Sequence, residues 1–411
     1  MAQLVSAKGS DVLAWRASGD FAATFRQVLL ARLEFCRSDE AQALLSGTEH
    51  AIDGLIVAND AFCLRSSHLL AEVAECSEPS RLRELTATFY TGLYDHMGRH
   101  HSAAAFYEFS TQFLQALTRS IKRSALAALG LADRQMPPLK LVAMGPAGRH
   151  EFSPFCPLQL LLVHGDAGEA ELESLARFGR LVHDGFEACG LQVDGAVTPR
   201  NPQWSGSMAD WRLRLAQWLE QSVADELIDF FRLADQATLY CDEGFDPEFS
   251  MACRTLFREH RAAMAFQVAR VRNLSHGISI IGGMRFEKYG PHRGCFALLD
   301  NALQPLSAAV SLLSLLKDLE ASSTPQRIRE VLWRRELNVD MAERLLLAWH
   351  TLHELRLTRE GAVHPDWSND APLHLNVEEM SDSDQNLLRE SLETVGALQR
   401  HLGLTFNSSE G

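Results

Sequence analysis

Paired cysteines are missing from this chain. Its eight cysteines are Cys36, Cys63, Cys76, Cys156, Cys189, Cys241, Cys253 and Cys295, and none forms a Cys-x-x-Cys pair. Scattered in this way they exclude a disulfide framework and read as buried thiols of a reducing compartment. Long apolar runs are missing too. None approaches about 20 residues, so no membrane span is expected, and Met1–Asp11 lacks the continuous apolar core of a signal peptide. Positive charge is short, with 39 Lys and Arg against 53 Asp and Glu and a net charge of −14. That balance argues against non-specific binding to nucleic acid or to an anionic membrane. Internal repeats, low-complexity tracts and a Ser-His-Asp arrangement are absent. The expectation is a cytoplasmic protein.

Hydrophobic residues at 46% and charged residues at 22% are those of an ordinary globular chain. The length of 411 residues allows two or three domains. The pattern reads as α+β and mostly helical, in three parts. Residues 1–135 carry apolar residues at helical spacing over Asp11–Leu45, Ala51–Ala74, Arg81–Met97 and Ser102–Leu131, a bundle of about four helices. Residues 136–245 form a small α/β domain, and residues 246–411 are again helical. In that last part, single helices are expected over Phe249–Arg272, Leu306–Leu319, Pro325–Arg335 with a Thr324 cap, Val339–Leu357 and Ser381–Leu402, with a strand or hairpin over Ile278–Phe286.

The chemistry is concentrated in Leu139–Val163. An apolar run, LKLVAM, predicts a buried strand. Gly145 and Gly148 then bracket Pro146-Ala147 in a tight turn, and Arg149, His150 and Glu151 open a helical turn. A second apolar run, Leu158–Val163, predicts another strand. Glycines let backbone N–H groups approach a ligand, and a helix N-terminus adds positive potential, so such a turn suits phosphate.

This segment resembles the DNA-polymerase-β type of nucleotidyltransferase signature, Gly-Ser-x-Gly-Arg-x-Glu followed by Thr-Asp-x-Asp. It is most similar to the signal-transduction nucleotidyltransferases related to protein-PII uridylyltransferase. Gly145, Gly148, Arg149 and Glu151 fall on the motif in register, and the resemblance makes them the nucleotide-binding candidates. The serine is Pro146. The two aspartates that hold Mg²⁺ in the family fall on Pro157 and Gln159. Asp194, in GLQVDGAV over Gly190–Val197, stands on an expected third strand where the family places another metal carboxylate. Asn201-Pro202-Gln203-Trp204 and a tryptophan-bearing helix also match the family. Further along, Asp235 and Asp242 keep two acids. Ala237, Leu299 and Ser311 stand where the family has charged residues.

Nucleotidyl transfer needs carboxylates to hold a hard cation against a triphosphate. Pro157 offers no side-chain oxygen and Gln159 one neutral oxygen. The expected function is therefore a nucleotidyltransferase-like protein that has lost catalysis and serves as a regulatory or signalling binder of a protein, small molecule or nucleotide. One alternative is an active nucleotidyltransferase using ATP or UTP with Mg²⁺, its carboxylates drawn from Glu151, Asp166 and Asp194. Another is a nucleotide sensor that binds without transfer. Mg²⁺ and a nucleotide are expected as cofactors only in the active alternative.

Two histidine pairs have ligand spacing: His96 and His100 beside Asp95 and His101, and His350 and His353 beside Glu354. The expectation for both is a polar face or packing, the first near a bend at Gly98. Trp204, Trp211 and Trp218, seven apart, read as core anchors on one helix face. Phe106, Phe109, Phe113 and Leu117 read as a core stripe.

Overall fold

The computed structural model describes residues 39–132, 135–221, 224–245, 247–279 and 282–408. The helix expected over Asp11–Leu45 lies outside them up to residue 38. Helices dominate, around one small sheet. The described residues open with three long helices, α1 (Asp39–Glu75), α2 (Pro79–His100) and α3 (Ala103–Leu129). Pro79 starts α2, where the missing N–H costs nothing, and Glu78 caps it. Ser102 caps α3 and Gly130 ends it in the left-handed conformation. Phe106, Phe113 and Leu117 are buried, with Phe113 stacked on Phe89 of α2 at 4.2 Å.

The sheet has strands β1 (Leu139–Met144), β2 (Gln159–His164), β3 (Ser205–Ser207) and β4 (Gln236–Cys241), in the order β3-β2-β1-β4. β1 lies antiparallel to β2, with Met144 opposite Gln159 and Leu139 opposite His164. It is also antiparallel to β4, with Ala143 opposite Ala237. The strand expected over Gly190–Val197 does not form. Asp194 Oδ1 accepts from the N–H groups of Ala196 and Val197, and this side-chain turn diverts the backbone from a ladder. Only Leu158 and Val193 bridge there. The third strand is Ser205–Ser207, beside β2.

Helices α5 (Glu169–Ala188), α6 (Met208–Gln221) and α7 (Ala224–Arg232) connect the strands, and a single helical turn, α4 (Gly145–Gly148), follows β1. All three tryptophans are buried. Trp204 lies in a 3₁₀ turn ahead of the helix, so only Trp211 and Trp218 share α6. Trp211 Nε1 donates to the Leu162 carbonyl at 3.2 Å, which fixes α6 to β2.

The remaining helices are α8 (Phe249–Glu259), α9 (Arg261–Asn273), α10 (Gln304–Leu316), α11 (Thr324–Trp333), α12 (Val339–Val363) and α13 (Asp382–Ser408), with a two-residue ribbon β5 (Phe296–Ala297) and β6 (His374–Leu375). The single helix expected over Phe249–Arg272 is broken at His260, whose backbone is non-helical and whose Nδ1 turns to the Leu256 carbonyl. Ser323, not Thr324, caps α11. Among the described residues one stretch, Leu299–Leu316, has the length and mean hydropathy, 1.2, of a membrane-crossing helix. It is 67% buried inside the fold, as the core helix α10 and the turn before it.

Candidate functional site

The end of β1, the start of β2 and helices α7, α10 and α12 enclose a cleft of about 380 Å³. Gly145, Pro146, Arg149, Glu151, Pro157, Gln159 and Asp194 all line it, together with Asp235, Leu299, His353 and Arg356. The antiparallel pairing of Met144 with Gln159 explains why residues on either side of the glycine turn meet. Asp166 follows the far end of β2, just after Gly165, whose N–H donates to the Pro138 carbonyl at 2.8 Å. Five strand residues separate the two ends, roughly 16 Å.

The turn geometry depends on its glycines. Gly145 has φ +59°, and its N–H donates to the Asp235 carbonyl at 3.1 Å. A Cβ on Gly148 would lie 2.1 Å from that same carbonyl oxygen, so β4 presses directly on the turn. Gly148→Ala forces the strand away, and a loss of about 3 kcal/mol is expected. Urea unfolding checks this, and a loss below about 1 kcal/mol would contradict the packing described. The N–H groups that follow the turn close back onto it: Arg149 donates to Gly145, His150 to Ala147 and Glu151 to Pro146. With the Gly145 N–H on Asp235, these four donors serve the fold.

Arg149 is likewise engaged. Its Nε donates to Glu151 Oε2 at 2.8 Å and its Nη1 to Asp235 Oδ2 at 2.7 Å. Burial opposes the charge, but Glu151 and Asp235 hold its pKa above the ordinary value. Glu151 is 1% exposed. Its Oε1 accepts from Thr324 Oγ1 on α11 and from Trp349 Nε1 on α12. Burial would raise its pKa, while Arg149 first, then His353, Thr324 and Trp349 bring it down to about 2. Asp235 completes the network, with Oδ1 accepting from Arg327 Nη1 and Ser311 Oγ. Arg327 also donates to the carbonyls of Ala234 and Ala321. A guanidinium from α11 thus stands at Ser311, where the sequence pattern had shown only a lost charge.

Gln159 and Asp194 form the other half of the site. Gln159 Nε2 donates to Asp194 Oδ2 at 2.9 Å. Burial would raise the pKa of Asp194, but the Val197 N–H, the Gln159 amide and the Ala196 N–H hold it below the ordinary value. Its carboxylate is ionised with its lone pairs in use on both oxygens. Pro157 is exposed.

His353 and Arg356 enter from α12. His353 Nδ1 lies 2.7 Å from the Tyr107 hydroxyl. Its Nε2 has no hydrogen-bond partner and is 4.0 Å from Glu151 Oε1. Burial lowers its pKa to about 3 against the pull of Glu151, so the ring is neutral. Arg356 donates to Glu360 at 2.6 Å and to Ser153 and Cys156 Sγ. His350 is buried as well. None of Asp235, Arg327, His353 and Arg356 was assigned to the site from sequence. The visible signals were the family acid kept at Asp235 and the i, i+3 spacing of His350 and His353.

The other histidine pair lies elsewhere. His96 is buried between Phe62, at 4.1 Å, and His100, at 4.1 Å, and burial lowers its pKa to about 3. Helix α2 continues through Gly98 to His100, so the expected bend is absent. Asp242 accepts from Lys122 Nζ and the Leu139 N–H, clasping α3 to the sheet.

A strand, glycine turn and antiparallel strand carrying Gly145, Gly148, Arg149 and Glu151 beside a helical half define a nucleotidyltransferase-like protein. Residues 88–225 match the family described as "Putative nucleotidyltransferase DUF294". Residues 261–406 match its companion, "Putative nucleotidyltransferase substrate binding domain". The chain belongs to this nucleotidyltransferase family. No curated protein matches it.

Proposed function

We propose that this chain is a binding protein on a nucleotidyltransferase scaffold, with catalysis lost and a regulatory role in its place. The observation that carries the reading is the Gln159–Asp194 hydrogen bond of 2.9 Å. An amide N–H sits on the carboxylate that a catalytic site of this family would turn toward Mg²⁺. Mg²⁺ requires near-octahedral oxygen coordination at about 2 Å, and Pro157 supplies no oxygen. The active alternative lacks support from its other carboxylates. Both oxygens of Glu151 are engaged, and Asp166 stands at the opposite end of β2. Nucleotide binding without transfer lacks the free Arg149 and the free Gly145 N–H it would use.

The cleft favours a different ligand class. Arg149, Arg232 and Arg356 line it, but each is matched by a carboxylate of this chain. Between them lie Pro146, Phe155, Phe231, Leu299, Leu303 and Leu373. Such a lining suits a small, weakly polar molecule or an apolar side chain of a protein partner better than a triphosphate. The test is titration calorimetry of the full chain with ATP, GTP, UTP and CTP, with and without Mg²⁺. The expected result is no Mg²⁺-dependent heat. Mg²⁺-dependent binding, or transfer of labelled nucleotide to any acceptor, would overturn the reading.

A further inference from the structure

We infer that the β5–β6 ribbon carries a transition-metal site formed by His292, Asp370 and His374, with zinc as the fitting ion. It is separate from the cleft residues described above and does not depend on how the cleft is read. His292 lies in the loop that runs into β5, His374 opens β6, and Asp370 precedes the 3₁₀ turn leading to it. The ribbon pairs Ala297 with His374. The loop folds back on itself through Glu287 N–H to the Cys295 carbonyl and Gly294 N–H to the Glu287 carbonyl. These two constraints bring three ligand atoms, one from each residue, within 4.8 Å of one another.

The chemistry of the cluster is that of a ligand set. The two imidazoles lie parallel, their centroids 3.7 Å apart and their planes at 4°. His374 Nδ1 is buried and has no hydrogen-bond partner. The carboxylates of Asp370, Glu287 and Asp300 act on the His374 ring, a negative field that a dication would answer. Arg359 donates to the His374 carbonyl, away from the imidazole nitrogens. His292 Nε2 and Asp370 Oδ1 are already 3.2 Å apart, about the spacing of neighbouring ligands in a tetrahedral zinc shell with bonds near 2.0–2.1 Å. A rotation of His292 on its loop turns its ring out of the stack and completes the set.

Ligand type selects the ion. Two imidazoles and one carboxylate suit zinc, nickel or copper, whereas Mg²⁺ prefers oxygen alone. Three protein ligands leave a fourth position for water. The other cluster of comparable composition among the described residues is weaker. It lies on α5, where His183 is buried and engaged with Thr198, beside exposed Asp184 and Glu187. Leu373, next to His374, lines the cleft, so an ion here would brace one of its walls.

Calorimetric titration of the full chain with ZnCl₂, with thermal melts alongside, tests the site. The wild-type chain is expected to take up one equivalent and to melt higher with zinc, while His292→Ala and His374→Ala lose both effects. Asp370→Asn, an exposed change that leaves the fold intact, weakens uptake and reports on the site if His374→Ala fails to fold. MgCl₂ gives no response. The inference is overturned if the wild type takes up no zinc, if His292→Ala keeps the same stoichiometry and affinity, or if magnesium substitutes for zinc.

Discussion

Asp235→Ala is expected to cost about 3–5 kcal/mol of stability, the range for removing one partner of a buried ion pair. The carboxylate serves two guanidiniums at once, Arg149 through Oδ2 and Arg327 through Oδ1, and it accepts from Ser311 as well. Without it, Arg149 keeps only Glu151 for its charge, and Arg327 keeps only neutral acceptors. Both guanidiniums stay largely out of water. The loss therefore comes from stranded charge more than from a vanished contact. Asp235 also joins three parts of the chain, the sheet at β4, the turn after β1 and helix α11. Chemical unfolding measured beside Pro157→Asp makes the contrast. That exposed position should stay within about 0.5 kcal/mol of the parent. A loss at Asp235 below about 1 kcal/mol would mean that the arginines find water, and the buried network would be misdescribed.

Stability should fall as pH drops through the range where histidine and glutamate titrate in unfolded chains. His353 has its pKa lowered to about 3 by burial, from an ordinary 6.5. Below pH 6.5 the unfolded chain binds a proton there that the folded chain refuses, so folding loses ground down to about pH 3. Each pH step costs up to about 1.4 kcal/mol, or roughly 3 kcal/mol between pH 6.5 and 4.5. Glu151, held at about 2 against 4.5, adds a second loss below pH 4.5 of about 3 kcal/mol in total. Both contributions are fully present above pH 6.5. Urea midpoints at a series of pH values read the slope. Other buried histidines such as His96 act with the same sign, so the comparison with His353→Gln isolates the residue at the cleft. A slope between pH 6.5 and 4.5 that is identical in both chains would show that His353 protonates freely in the folded state.

The elements that repeat in sequence were legible, and the contacts that do not were not. Helical spacing located most of the long helices, and the apolar runs located β1 and β2. β3 escaped because Ser205–Ser207 is three small residues with no apolar alternation. The strand expected around Asp194 failed because one carboxylate captures two backbone N–H groups, which a hydrophobicity pattern does not record. At the site, Gly145, Gly148, Arg149 and Glu151 were visible as a local motif. Their partners Asp235, Arg327 and Trp349 were not, because they stand 86 to 198 residues from the motif residues they bond or from one another. Thr324 shows the same limit. Its position looked like a cap, yet its hydroxyl turns inward to Glu151, and Ser323 does the capping.

The apolar stretch Leu299–Leu316 bears on how the chain is made. Its cover includes α13, more than 60 residues further on. A ribosome supplies the chain in order, so this helix emerges with its most hydrophobic face bare while α11, α12 and α13 are still to come. At roughly 5–20 residues per second that interval lasts several seconds. During it the nascent segment carries the hydropathy of a membrane-crossing helix with only α8 and α9 to pack on, a stretch for a chaperone to shield.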